Sequence, residues 1–367
     1  MKRLTILLFL TSGPLLQVFA QPITYIWNMN DLNALRKTNN PTLAVYNNII
    51  TRSDSIIELS PIAVTDKQTS ISGDKHNFES LSIYWWPDPK NPGGPYIARD
   101  GEYNPEYKQY DYPRLLKLRG ILTYVSKAFF LTGDERYYNF FCRQLDTWFI
   151  DSETRMIPNF EYCQFVPGHN NGRGNPQGMV DAYNFNDVME SIRLVNSVKN
   201  IGSKRMKALK KWFRDFGAWM QTSEYGKKAS NFKNNQAVAY DVTLYDMMIF
   251  TGKKSARKRI LSNFYDKRVL PQIDDEGKML EELRRTRGYN YSLFNLEHLI
   301  DFCQMVRSDG RVLPANMLSR VNLSLRYLQR FEGHKEAFPY REMGNWEEQE
   351  SKLKQLSTRM RRLKLIQ

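Results

Sequence analysis

The chain has 367 residues, with 53 Lys and Arg against 39 Asp and Glu and a formal net charge of +14. Hydrophobic residues make up 41% and charged residues 25%, an ordinary globular balance that excludes wholesale disorder. The surplus of bases favours polyanions as partners without naming one.

Met1-Lys2-Arg3 is followed by an apolar run over residues 4–10 and by Val18-Phe19-Ala20. A basic start, an apolar centre and small residues at the end read as a secretory signal over residues 1–20, cut after Ala20. The expectation is therefore a periplasmic or secreted protein with one domain over residues 21–367. The apolar run is broken by Ser12-Gly13-Pro14 and is too short to cross a bilayer. No later stretch approaches that length, so no membrane span is expected. Export also argues against intracellular nucleic-acid roles.

Residues 71–112 are rich in Pro, Gly, Tyr and Trp and do not suit a regular helix. Loops of that length inside compact domains are usually functional. Helical periodicity follows. Leu115, Leu118, Leu122, Val125 and Phe129 step by three and four along one face, and Leu131-Thr132-Gly133 supplies a C-terminal cap. Tyr138, Phe141, Leu145 and Trp148 form the stripe of a second helix. The same phrase recurs: Val238, Val242, Tyr245 and Ile249 form a stripe, Phe250-Thr251-Gly252 ends it, and residues 254–269 begin again. Further helical patterns cover 184–199, 202–221, 291–306, 314–331 and 346–365. The last carries Leu353, Leu356, Met360 and Leu363 inward and six bases, Lys352 to Lys364, which read as a solvated face. Alternating strand patterns are scarce. The expected fold is all-α, with antiparallel helical hairpins closing into an incomplete toroid around a groove, under a long aromatic loop.

Cys142, Cys163 and Cys303 are the three cysteines, too few for a disulfide framework. Cys142 and Cys303 fall within apolar helical patterns and read as buried small hydrophobes. Neither CxxC nor HExxH occurs, and His76, His169, His298 and His334 are scattered, so no metal site is expected.

The most distinctive stretch runs from Asp74-Lys75-His76 through Tyr84-Trp85-Trp86-Pro87-Asp88-Pro89 to Pro95-Tyr96-Ile97, Arg99-Asp100-Gly101 and Asn104-Pro105-Glu106. Sugar rings present C–H faces that pack on aromatic planes, and nearby charges fix their orientation. The bland alternative is that Trp85 and Trp86 plug the end of the helical core. Two more blocks stand apart: Gly172-Arg173-Gly174 with Gly178-Met179-Val180-Asp181, and Glu282-Leu283-Arg284-Arg285-Thr286 with Tyr291-Ser292 and Phe294-Asn295-Leu296.

In these three blocks, taken in order, the chain resembles the alginate lyase family of polysaccharide lyases, in its Bacteroidetes-type branch, over about residues 70 to 300. The resemblance implies an all-α toroid that cleaves a 1,4-linked uronate polysaccharide, alginate or a glucuronan-like polymer, by β-elimination. It implies no metal or organic cofactor. Tyr291 matches the family's catalytic tyrosine, acting as base and acid, and Arg285 matches the arginine six positions before it. Asn234-Asn235-Gln236 matches the family's Asn-Asn-His, so Gln236 stands where the family carries histidine. Glutamine cannot take a proton, but with Asn235 it can donate to the sugar carboxylate. His76, Tyr84, Trp85, Trp86 and Arg173 are the expected substrate contacts, while His169 reads as a loop residue. Two alternatives remain: a relative that binds an acidic polysaccharide without cleaving it, suggested by Gln236, and an exported interaction scaffold. The partner is in either enzymatic or binding case an acidic polysaccharide; oligomeric state is open.

Overall fold

The structure, a computed structural model, describes residues 23–365. The expected signal segment lies outside the described residues. Helices dominate. After a short N-terminal strap come α1 (Met29–Thr38) and α2 (Ala44–Ile57), then β1 (Glu79–Leu81), β2 (Trp85–Trp86) and β3 (Ile97–Ala98). α3 (Asp111–Thr132) and α4 (Glu135–Leu145) form a hairpin, followed by β4 (Tyr162–Phe165). α5 (Phe185–Val198), α6 (Ser203–Thr222), α7 (Glu224–Ala229), α8 (Asn235–Phe250) and α9 (Lys254–Phe264) follow. The chain ends with α10 (Leu280–Leu283), α11 (Gly288–Ser308), α12 (Ala315–Gln329) and α13 (Trp346–Arg362).

The stop signals in the sequence act as expected. Gly133 takes φ +73°, and its N–H bonds the Phe129 carbonyl at 2.8 Å, the left-handed cap that glycine adopts without a Cβ clash. Asp134 then caps α4 by accepting from the Arg136 N–H. α13 follows the macrodipole, with Glu347 and Glu348 in its first turn and Arg359, Arg361 and Arg362 in its last.

Two apolar clusters make the core. One gathers α3 to α6 and includes Trp148, with Phe160, Phe185, Phe213 and Phe216 in tilted and edge contacts. The other joins α8, α9 and α11 to α13 around Tyr245, Phe264, Leu299 and Phe302. α8 and α11 pack on each other and α5 packs on α3 and α8; α8 contributes to both clusters, which meet beside a cavity.

Several details differ from the sequence reading. In α4 the buried stripe is Tyr137, Phe140, Phe141 and Leu145, while Tyr138 is half-buried with its hydroxyl on the Asn200 carbonyl. Trp148 lies beyond α4, in a wide π-turn over residues 146–150 that swings it into the core. α1 and α2 have no clean stripe in sequence; Asn, Ser and Thr punctuate α2, and only Tyr46, Ile49 and Ser53 are buried there. Residues 71–112 contain no regular α-helix before Asp111, only the short strands and a 3-10 turn at Pro105–Gln109. β1 pairs in parallel with β4, and β2 antiparallel with β3. All three cysteines are buried free thiols. Leu353, Leu356 and Met360 of α13 are buried as expected, but Lys352 and Arg359 turn toward the cavity rather than to open solvent.

Candidate active site

The cavity has a volume of about 1280 Å³ and is lined from both clusters. Its chemistry begins where the aromatic loop meets the turn before α11. The Asp100 carboxylate accepts from Arg285 Nη2 at 2.6 Å, from Arg285 Nε at 3.2 Å, and from the Thr286 hydroxyl at 3.0 Å. Arg287 donates to the Gly101 carbonyl at 3.0 Å. Gly101 sits at φ +86°, and a Cβ there would meet Thr286 Oγ1 at 2.6 Å, so the close approach requires glycine. Two of the sequence blocks are thereby locked together.

This lock sets Arg285 beside Tyr291, in the first turn of α11. The guanidinium lies 4.3 Å from the ring centroid, with Nη2 3.3 Å from the hydroxyl. From the opposite side the Tyr84 hydroxyl shares a hydrogen bond of 2.6 Å with that of Tyr291. Tyr84 is held by its backbone, whose carbonyl accepts from the Arg99 N–H at 2.7 Å, and by stacking on Tyr103 at 5.5 Å. Burial pushes the Tyr291 hydroxyl up, while the Tyr84 hydrogen bond and the Arg285 charge pull it down without cancelling the rise. Tyr84 is driven far higher, by burial and then by Tyr291 itself. Of the pair, Tyr291 is the one that ionises first. Asp100 feels burial upward, but the hydrogen bonds and charge of Arg285 and Thr286 outweigh it and hold the carboxyl below its usual value.

The third wall is the start of α8. Asn234 caps the helix by accepting from the Gln236 N–H at 3.2 Å. Asn235 is buried, and Glu282 accepts from its backbone N–H at 2.6 Å and from Nδ2 at 2.5 Å. Burial lifts the Glu282 carboxyl to about 7 against these hydrogen bonds. Gln236 is half-buried on the cavity wall, and its side-chain amide has no hydrogen-bond partner among the described residues. Tyr291, Arg285, Asn235, Gln236, Tyr84 and Trp85 thus line one cavity.

Similarity agrees with the geometry. The family profile described as alginate lyase matches residues 63–320. The crystal structure of an alginate lyase from Bacteroides ovatus is 30% identical, covers 92% of this chain and 90% of that one, and superposes with a TM-score of 0.85. The chain belongs to the alginate lyase family. Alginate lyase A1-III from Sphingomonas species A1 is 11% identical, with a TM-score of 0.52 over 89% of this chain and 83% of its own, a likeness of fold alone. No curated protein matches. The chain is a polysaccharide lyase with the all-α toroid of that family.

Three expected contacts of this lyase do not line the cavity. His76 bonds the Arg155 carbonyl through Nδ1 at 2.7 Å and so ties two loops together. Trp86 donates to the Glu102 carbonyl at 3.0 Å beneath the Arg99 guanidinium. Arg173 pairs with Glu161 and lies over the Tyr225 ring. Each finds a partner inside the protein. His169, by contrast, has a part in the site's frame: its Nε2 meets the Tyr96 carbonyl at 2.8 Å and its ring packs edge-on against Trp85.

Asp100, Tyr103 and Glu282 are site residues that sequence reasoning passed over. Asp100 and Glu282 stand inside the blocks already singled out, so an acid adjacent to a functional arginine was the available signal. Among the described residues no cluster of His, Cys, Asp or Glu could hold a metal ion, and no helix is long and apolar enough to cross a membrane.

Proposed function

We propose that the protein cleaves a 1,4-linked uronate polysaccharide, alginate or a glucuronan-like polymer, by syn β-elimination at Tyr291. The observation that carries this reading is the Tyr291 hydroxyl, held by Tyr84 at 2.6 Å and Arg285 at 3.3 Å in a cavity that also presents Asn235 and Gln236. The C5 proton of a uronate is weakly acidic while the attached carboxylate keeps its charge. The amides of Gln236 and Asn235, at the positive end of the α8 dipole, are suited to hold that carboxylate and the enolate-like charge that develops. Tyr291, as the phenolate, takes the C5 proton; the C5–H electrons form the C4–C5 double bond, the C4–O4 bond breaks, and Tyr291 returns the proton to O4. Arg285 stabilises the phenolate and Asp100 fixes Arg285. Gln236 has no proton to exchange, which favours a route in which one tyrosine serves both steps. A single proton carrier on one face of the ring is what a syn elimination needs.

The signal-like residues 1–20 support a periplasmic or secreted site of action, and one domain over residues 21–367. The purified protein and its Tyr291→Phe variant, incubated with poly-mannuronate, poly-guluronate and glucuronan, test the reading by ultraviolet absorbance of the unsaturated uronate. Absorbance on at least one polymer, lost in the variant, is expected. Saturable binding with no absorbance on any of them would instead make the protein a non-cleaving relative.

A further inference from the structure

The cavity extends well past Tyr291. α11 runs along its wall with Tyr291, Phe294, Glu297 and Asp301, and at 1.5 Å per residue Asp301 stands about 15 Å along the axis from Tyr291. At that far end two chain segments outside the family profile's residues 63–320 come together. From α13, Lys352 pairs with Glu297 and Arg359 with Asp301. Arg359 also donates to the Gln304 side-chain Oε1 at 2.6 Å, and Gln304 Nε2 in turn donates to the Ile26 carbonyl at 2.6 Å. Ile26 belongs to the N-terminal strap and lines the cavity. The strap is fixed firmly: the buried Glu190 carboxylate accepts from the backbone N–H groups of Tyr25, Ile26 and Trp27, each at 3.0 Å.

A further observation at the cavity wall points to a ligand. Asn186 of α5 is 3% exposed, and neither its amide oxygen nor its nitrogen has a partner among the described residues. A buried, unpaired amide is disfavoured by one to several kcal/mol unless something binds it. The neighbouring ion pairs offer donors and acceptors side by side, which suits ring hydroxyls better than a second carboxylate.

We propose that strap and α13 together make this the blind end of the cleft, so that the polymer is taken by a chain end whose terminal sugar binds against Asn186, Ile26 and Arg359. The inference rests on the eliminative reading above and adds the mode of attack: short unsaturated oligosaccharides of uniform size, released from an end. Reaction on a long uronate polymer, followed at once by absorbance, viscosity and product size, tests it. Absorbance should rise with short products from the first turnovers while viscosity lags. In Asn186→Leu, which removes no protein hydrogen bond, KM should rise about tenfold with kcat and melting temperature held. Ile26→Ala, which opens the wall, should lengthen the products. Absorbance accompanied by early collapse of viscosity would overturn the chain-end mode and leave the lyase reading intact. So would variants with unchanged KM and products. No absorbance on any polymer would overturn both.

Discussion

The hydroxyls of Tyr84 and Tyr291 share a 2.6 Å hydrogen bond although 207 positions separate the two residues in the chain. The Tyr84 contact draws the Tyr291 hydroxyl downward and so favours its ionised form. Tyr84→Phe should therefore slow elimination about tenfold, the equivalent of one pKa unit, and move the alkaline limb of the rate profile to higher pH. Tyr291→Phe should lower the rate about 10²- to 10⁴-fold. Initial rates between neutral and alkaline pH decide the matter; an unchanged limb in Tyr84→Phe would count against the pair acting together.

Glu282 titrates at about 7, above the ordinary glutamate value of about 4.3. Ionised, it accepts both hydrogen bonds from Asn235; protonated, it sets an O–H against one of those donors. Activity should rise as pH increases through 7. Glu282→Gln imitates the protonated form, so it should be slow at every pH and lack this limb. The raised value also means that ionisation opposes folding. The stability contributed by this group is fullest below about 4.3 and declines as pH rises toward about 7. Rate profiles and thermal melts of both proteins across that window provide the check.

Gly168 holds the loop under Trp85. It adopts φ +76°, and a Cβ would lie 2.5 Å from Pro95 Cα. Gly168→Ala should destabilise by about 1–2 kcal/mol from backbone strain alone, with the Pro95 contact adding to it. The Pro167 carbonyl would lose its bond from the Tyr96 N–H, now 3.0 Å, and Trp85 its edge contact with His169. A lower melting temperature together with a raised KM is expected; a normal KM would show that Trp85 does not contact the polymer.

Gln236→His places an imidazole on the wall where an unpaired amide stands. A titration near the usual histidine value of about 6.5 should then enter the rate profile, and polymers of the opposite C5 configuration should become substrates. The comparison of wild type and variant on poly-mannuronate and poly-guluronate is decisive. Identical rates and identical preference would remove Gln236 from the mechanism.

Helix existence was legible where an apolar stripe ended in glycine, as at Phe129-to-Gly133 and Phe250-Thr251-Gly252. α1 and α2 were not, because their polar residues sit among few buried positions and tertiary packing against α3 decides them. Motif order singled out Tyr291, Arg285, Asn235, Gln236, Tyr84 and Trp85, which line one cavity. It could not distinguish residues facing the cavity from those bracing it. His76, Arg173 and Trp86 carry suitable chemistry, yet each is satisfied by an internal carbonyl or carboxylate. The far wall was hidden for a different reason. Ile26, Lys352 and Arg359 come from the two extremities of the chain, and no local pattern in either announces that they meet.

The anchoring of residues 25–27 on Glu190, with Gln304 and Ser308 also reaching back to the strap, fixes an order of events during synthesis. The strap leaves the ribosome early, but the Glu190 carboxylate that holds its backbone follows 165 positions later and its bond from Ser308 283 positions after Tyr25. Until about half of the chain has been made, the carboxylate that holds its backbone does not exist. The deep end of the cleft is then among the last parts of the molecule to close, after much of the helical core has been made.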